Sequence, residues 1–182
     1  MPKVPLLAVG KMPDDVVEEL LLSFGNSEGD GNPNGEVDYR KVNAHTIKRE
    51  TSPYVFIYDM AVLYRKRTGV RWDFVDVVQV MEYGVGGFYG SHTDWTLTHD
   101  GVSGDHGIDG FRKVSFIAQL SEPDDYEGGL VNIWLDGDAF VVPKEKGTVV
   151  AFPSFNMHAV EPITACTRLS MVSWVLGKEN WV

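Results

Sequence analysis

The 182-residue chain has a single cysteine, Cys166, so no internal disulfide can staple the fold and a cysteine-built zinc cluster is excluded. A reducing, cytoplasmic setting is the expectation that follows. Long apolar runs are missing too. None approaches the ~20 residues that a bilayer-spanning helix needs, and Met1 to Gly10 has neither the charged start nor the longer apolar core of a secretory signal. Basic charge is scarce: 16 Lys and Arg stand against 26 Asp and Glu, a formal net charge of -10. With a sequence pI of about 4.8, phosphate backbones and anionic lipid are disfavoured partners. Neither nucleic acid nor membrane is therefore expected to bind.

What the chain does have is 43% hydrophobic and 12% aromatic residues, the composition of a globular protein. Its length predicts one domain over 1–182. After Pro13-Asp14-Asp15, the apolar residues Val16, Val17, Leu20, Leu21 and Phe24 recur at three- and four-residue steps, which predicts a surface helix ending at Gly25. Gly25 to Gly35 is rich in glycine and has no apolar side chain, so it reads as a loop. The aromatic-rich stretch Pro53 to Lys66 is read as a second helix. From Phe74 onward the pattern changes to short runs rich in Val, Ile, Phe and Trp: Phe74–Tyr83, Lys113–Leu120, Leu130–Leu135, Ala139–Val142, Thr148–Phe152 and Arg168–Leu176. Asp136-Gly137 and Glu127-Gly128-Gly129 mark turns between them. Many short strands without intervening helices predict a mainly β fold, an antiparallel barrel or sandwich such as the double-sheet jelly roll. In this reading 1–70 is a helical support region and 71–182 the jelly-roll core.

His92-Thr93-Asp94 places two potential metal ligands at i and i+2, on the same face of an extended strand. The spacing alone is uninformative, because five histidines and 26 acids in 182 residues yield about 0.7 such pairs by chance. Context changes the weight. The pair follows Tyr83-Gly84-Val85-Gly86-Gly87-Phe88-Tyr89-Gly90-Ser91, and far downstream Gly147 to Ser154 leads into His158. A third ligand from a distant strand would complete the two-histidine, one-carboxylate face that leaves positions open in non-haem Fe(II) oxygenases. Ten residues after His158 stands Arg168, followed on the same strand face by Ser170, so a fork-shaped cation and a hydroxyl point at a place where a carboxylate could bind. An arginine turned into such a core demands an anion.

These segments, with Arg112–Ile133 and Thr167–Val175, resemble the Fe(II)- and 2-oxoglutarate-dependent dioxygenases, and within them the prolyl 4-hydroxylase-like branch that includes the PKHD-type hydroxylases. The resemblance implies a double-stranded β-helix (jelly-roll) barrel with supporting N-terminal helices. It implies His92, Asp94 and His158 as iron ligands and Arg168 as the partner of the distal carboxylate of 2-oxoglutarate, with Ser170 and Tyr83 as supporting contacts. Fe(II) would be the metal, 2-oxoglutarate and O2 the co-substrates, and ascorbate the reductant. The implied reaction hydroxylates a C–H bond, foremost on a prolyl residue of a protein or peptide, and releases succinate and CO2. Collagen-type members carry lysine where this chain has Arg168, which weakens any expectation of a collagen-like substrate.

Hydroxylation of a free amino acid or other small metabolite is the runner-up. Nucleic-acid demethylases resemble this pattern but carry a further arginine six positions past the anchor, where this chain has Trp174. Trp174 shares the Arg168 face by alternation, and plain core packing explains it equally well. A non-catalytic jelly-roll binding module is the third class. The segment Trp95 to Phe111, with His99 and His106, reads as a cover over the site or as a solvated loop. Tyr89 at the last position breaks a dinucleotide fingerprint begun by Gly84 and Gly86. Asp105 breaks a nucleophile elbow after Gly101-Val102-Ser103, and Val102 breaks an EF-hand loop begun at Asp100.

Overall fold

The computed structural model describes residues 7–25, 39–47, 51–95, 97–98 and 110–177. His99, His106 and nearly all of the loop expected over Gly25–Gly35 lie outside the described residues. Two helices form where the periodicity predicts them. Helix α1 (Asp14–Gly25) has Asp14 and Asp15 in its first turn and buries Val16, Val17 and Leu20; the acids suit the positive end of the helix dipole. Helix α2 (Ser52–Thr68) begins with Pro53 and ends at Gly69, whose φ of 75° lets its N–H close on the carbonyl of Arg65. Such a left-handed stop suits glycine, and Arg65, Lys66 and Arg67 in the last turn complement the dipole. Among the described residues no helix is long and apolar enough to cross a membrane.

The strands are β1 (Ala8–Lys11), β2 (Arg40–Lys41), β3 (Asn43–Ile47), β4 (Phe74–Tyr83), β5 (Phe88–His92), β6 (Leu97–Thr98), β7 (Gly110–Gln119), β8 (Tyr126–Gly128), β9 (Val131–Leu135), β10 (Asp138–Val141), β11 (Thr148–Pro153), β12 (His158–Val160), β13 (Ile163–Cys166) and β14 (Arg168–Gly177). One sheet runs β1-β11-β7-β14-β4-β3, with β6 beside β7, a smaller one runs β10-β9-β12-β5-β2, and β13 pairs with β8. The expected mainly β, double-sheet architecture is therefore what forms, although the sheets are not closed into a barrel. One expectation needs correction: the segment 1–70 is more than a helical support. It contributes β1 to one edge of the large sheet, β3 to the other edge, and β2 to the edge of the small sheet. These strands are two to five residues long, too short and too polar to show a period-two run.

Alternation along the large sheet separates two cores. Val78, Val80, Val114, Phe116, Ala118, Val149, Ala151, Met171 and Val175 pack outward against Leu20, Ile57, Ala61 and Tyr64 of the helices. Met81, Tyr83, Ile117, Val150 and Phe152 point inward to meet Val131, Ile133 and Val160 of the small sheet. The inward layer opens into a cavity of about 530 Å³.

Candidate active site

Two strands of the small sheet bring the histidines together: His158 at the start of β12 pairs directly with His92 at the end of β5. Asp94 lies just past β5, where its N–H and that of Trp95 both donate to the Ser154 carbonyl, at 2.8 and 2.9 Å. Ligand atoms of His92, Asp94 and His158 all fall within 4.8 Å of one another. The two Nε2 atoms lie 3.6 Å (His92) and 3.3 Å (His158) from the Asp94 carboxylate. Each imidazole spends its Nδ1 proton on a backbone carbonyl, Gly90 at 2.8 Å for His92 and Asn156 at 3.0 Å for His158. A carbonyl only accepts, so in the neutral ring the Nε2 atom facing inward carries a lone pair. With both rings neutral, three lone-pair donors converge with no proton between them, a donor set suited to a cation, whereas a protonated His158 donates to Asp94 instead. Two imidazoles and one carboxylate on one face match a facial Fe(II) site better than a cysteine-rich zinc site.

The Asp94 carboxylate is held from behind. Burial alone would raise its pKa, but hydrogen bonds from His158, Trp174 and Ser115 and the charge of His158 outweigh burial and hold it well below the usual carboxylate range. Ser115 Oγ donates to Oδ2 at 2.7 Å and Trp174 Nε1 donates to the same oxygen at 2.8 Å. Ser115 also bonds Ser154 at 2.9 Å. The Trp174 ring carries the Arg112 guanidinium 3.6 Å from its centroid, and Arg112 lies 3.6 Å from the buried Asp76. For His92 the pKa shifts down, chiefly through burial and then the neighbouring His158, which favours the neutral ring that a metal requires. Tyr89 stacks on His92 with centroids 3.7 Å apart.

Arg168 lies at the other end of the cavity, paired across the strands with Tyr83, and has 0% exposure. Its guanidinium donates to Gln119 Oε1 at 2.8 Å and Ser170 Oγ at 3.2 Å, while its Nε has no partner. Its carbon lies 5.2 Å from the Tyr83 ring centroid. Among the described residues no carboxylate neutralises it. A buried, uncompensated guanidinium is costly, so a cavity that keeps one is built for an anion. Glycine makes room for it: a Cβ on Gly129, at φ +63°, would fall 3.0 Å from Arg168 Cδ and 2.4 Å from Ile163 Cδ1. Burial pushes the Tyr83 hydroxyl up to about 12 against the opposing charge of Arg168, so it remains a neutral donor.

His92, Asp94, His158, Arg168, Ser170 and Tyr83, the residues singled out in the sequence, all line this cavity. Sequence reasoning missed Ser115, Gln119 and Tyr89, and it gave Trp174 no role beyond the wall. The signal available for Ser115 and Gln119 was alternation in β7, which turns both to the Ile117 side. The glycines of the Tyr83–Ser91 stretch serve packing: Gly90 N–H reaches the Tyr39 carbonyl at 2.6 Å, and a Cβ there would sit 3.0 Å from that oxygen.

The sequence profile of the 2OG-Fe(II) oxygenase superfamily matches residues 78–176. The chain is 37% identical over 118 residues to a PKHD-type hydroxylase of Picosynechococcus sp., covering 64% of this chain and 48% of that protein. It is 37% identical over 92 residues to a PKHD-type hydroxylase of Prochlorococcus marinus, covering 50% and 38%. It therefore spans about half the length, or less, of these curated relatives. In fold it is similar to a Pseudomonas putida prolyl-4-hydroxylase, with a TM-score of 0.69, 20% identity and coverage of 96% of this chain and 94% of that one. A Trichoplax adhaerens prolyl hydroxylase, solved with a hypoxia inducible factor peptide fragment, gives a TM-score of 0.68 at 18% identity, covering 94% and 83%.

Proposed function

From the premise that the chain belongs to the 2OG-Fe(II) oxygenase superfamily, we propose that it is a 2-oxoglutarate-dependent dioxygenase that hydroxylates a prolyl residue of a protein or peptide. One observation supports this most: three convergent ligand atoms sit in the same cavity as a buried arginine that has no carboxylate partner among the described residues. His92, Asp94 and His158 would hold the metal, and Arg168 would take the distal carboxylate of the co-substrate. Bound there, Fe(II) would supply the oxidative chemistry that consumes 2-oxoglutarate and O2 and releases succinate and CO2, with ascorbate as reductant.

The protein's own part is positioning. Ser115 and Trp174 fix Asp94 Oδ2 beside His158 and so turn Oδ1 toward His92, and the backbone carbonyls of Gly90 and Asn156 fix both imidazole tautomers. Gln119 and Ser170 orient the Arg168 fork, and Tyr83 flanks it. Met81, Ile117, Val160 and Val172 make the walls between, keeping that space short of water. The prolyl reading draws on the names of the PKHD-type relatives and of the prolyl hydroxylases that share the fold. Purified protein with Fe(II), 2-oxoglutarate and ascorbate should release succinate and add one oxygen to a proline in a peptide library, with both signals lost in Asp94→Ala. Succinate release without a gain of oxygen on any proline would discard the prolyl substrate.

A further inference from the structure

The cavity carries more positive charge than the co-substrate accounts for. Its charged lining comprises Arg40, Arg112 and Arg168 against one carboxylate, Asp94, in a chain whose net charge is -10. Asp94 belongs to the metal triad, and Arg168 to the co-substrate. Arg112 has Asp76 at 3.6 Å. Arg40 has no such counter-ion among the described residues.

Arg40 is placed by construction rather than by accident of the surface. It lies in β2 directly opposite Tyr89 of β5, across the cavity from the β4–β14 pair that carries Arg168. The close approach at Gly90 brings β2 against β5. The Arg40 guanidinium lies 5.9 Å from the Tyr39 ring centroid and 5.7 Å from that of Tyr89, and Tyr89 in turn stacks on His92. Aromatic faces hold a guanidinium in place without neutralising it. Its Nε is buried and without a hydrogen-bond partner, and its charge acts on His92 and on Tyr83. It is thus an oriented cation without a carboxylate partner among the described residues, one aromatic ring away from the metal triad and on the opposite sheet from the co-substrate anchor.

We propose that Arg40 is a substrate-binding residue that takes a carboxylate of the primary substrate. The carboxylate is either that of a free amino or imino acid or an acidic group on a peptide. This rests on the oxygenase reading above and narrows its substrate class to one that brings a negative charge close to the oxidised carbon. Arginine suits the task because its planar fork meets a carboxylate with two parallel hydrogen bonds.

The test uses the full chain, anaerobic and loaded with Mn(II) and 2-oxoglutarate, and measures calorimetric affinity for matched carboxylate and amide probes. The pairs are L-proline with L-prolinamide, N-acetyl-prolyl-glutamate with N-acetyl-prolyl-glutamine (both C-terminal amides), and N-acetylglycine with N-acetylglycinamide. Wild type should prefer the carboxylate member of at least one pair by about 10- to 100-fold, the range of a charge-assisted contact, and the favoured pair identifies the source. Arg40→Gln should erase the preference, and Arg40→Lys should keep part of it. Mn(II) and 2-oxoglutarate affinities should stay at the wild-type level in both variants. Equal affinity for carboxylate and amide in every pair, or no probe bound at all, overturns the inference in wild type alone, whether or not a variant folds. A preference that survives Arg40→Gln, or a weakened 2-oxoglutarate affinity in that variant, also overturns it. Arg40-dependent preference here, together with no oxygen gained by any prolyl probe in the separate aerobic assay with Fe(II), 2-oxoglutarate and ascorbate, would instead discard the prolyl substrate and leave the carboxylate site standing.

Discussion

The two faces of the large sheet are made by the same strands and are chemically opposite. Along β14, Leu169, Met171 and Val175 face outward and pack into the apolar cluster beneath the helices. The alternate residues Arg168, Ser170 and Trp174 face the cavity. In β7, Val114, Phe116 and Ala118 go outward, while Ser115 and Gln119 turn in to hold Asp94 and Arg168. The outward face carries the stability, because buried apolar area is the main favourable term in folding. The inward face gives up some of that gain: it buries an arginine that has no carboxylate partner among the described residues, and three side chains whose possible ligand atoms face one another. A fold that breaks the burial rules on one face while keeping them on the other locates its own site.

The most forceful way to break this division is a pair of substitutions, one per face. Asp94→Ala should abolish metal binding and lower turnover by at least about 1000-fold, at a smaller stability cost than a core truncation, because relief of a buried charge partly offsets leaving the Ser115 and Trp174 donors without their acceptor. Met171→Ala, fully buried on the outward face, should cost roughly 2–5 kcal/mol in urea unfolding and leave Mn(II) affinity unchanged in the folded protein. If Asp94→Ala unfolded the protein as much as Met171→Ala, the two faces would not be separable. Next in size is Arg168→Met. Removing a charged fork should weaken 2-oxoglutarate binding by about 100-fold, with stability equal or higher, since an apolar side chain replaces an uncompensated cation. A variant that binds 2-oxoglutarate as wild type does would move the co-substrate away from this end of the cavity. Smaller effects follow for the residues behind the metal: Trp174→Phe and Ser115→Ala each remove one donor to Asp94 and should lower metal affinity by about 10-fold. Fluorescence-quench titration with Fe(II) or Mn(II) reads this directly for Ser115→Ala, which keeps the indole.

Legibility in the sequence tracks the same two faces. Outward residues announce themselves, since Val-rich alternation in Phe74–Tyr83 and Arg168–Leu176 and the three-to-four periodicity of Val16 to Phe24 are properties of one segment each. His92, Asp94, His158 and Arg168 were legible because their flanking segments resemble a known family; the i, i+2 spacing of His92 and Asp94 carried little by itself, and Asp94 in fact lies just past β5. Trp174 was legible as a position but not as a role, because its indole reaches an aspartate 80 residues away. Gln119 likewise meets Arg168 across 49 residues, a partnership that alternation cannot name. Arg40 gave no signal at all: β2 is two residues long, and what makes Arg40 notable is that no described residue supplies it a counter-ion, a property of the folded cavity. The short strands β1 and β3 were missed for a related reason, since edge pairing with β11 and β4 is decided by neighbours rather than by their own pattern.

The finest test of the comparison uses one tyrosine from each core. Burial raises Tyr64, packed among the helices, well above its ordinary value of 10.0. Tyr83 on the cavity side rises to about 12, less far because the Arg168 guanidinium opposes the effect of burial. Below pH 10 both phenols are neutral in folded and unfolded chains alike, so neither contributes to pH dependence. Above it the unfolded chain loses protons that the folded chain keeps, so stability falls with rising pH, by about 1.4 kcal/mol per pH unit for each such tyrosine. Urea unfolding between pH 9 and 11.5 should therefore show a shallower decline in Tyr64→Phe and in Tyr83→Phe than in wild type. In the Arg168→Met background, the contribution of Tyr83, read as the difference made by adding Tyr83→Phe, should extend to higher pH, because the cation that favours its phenolate is gone. Tyr64 should be indifferent to that background. A decline in Tyr83→Phe as steep as in wild type would place the Tyr83 hydroxyl in water and erase the distinction between a dry outer core and an inner one tuned by a fixed positive charge.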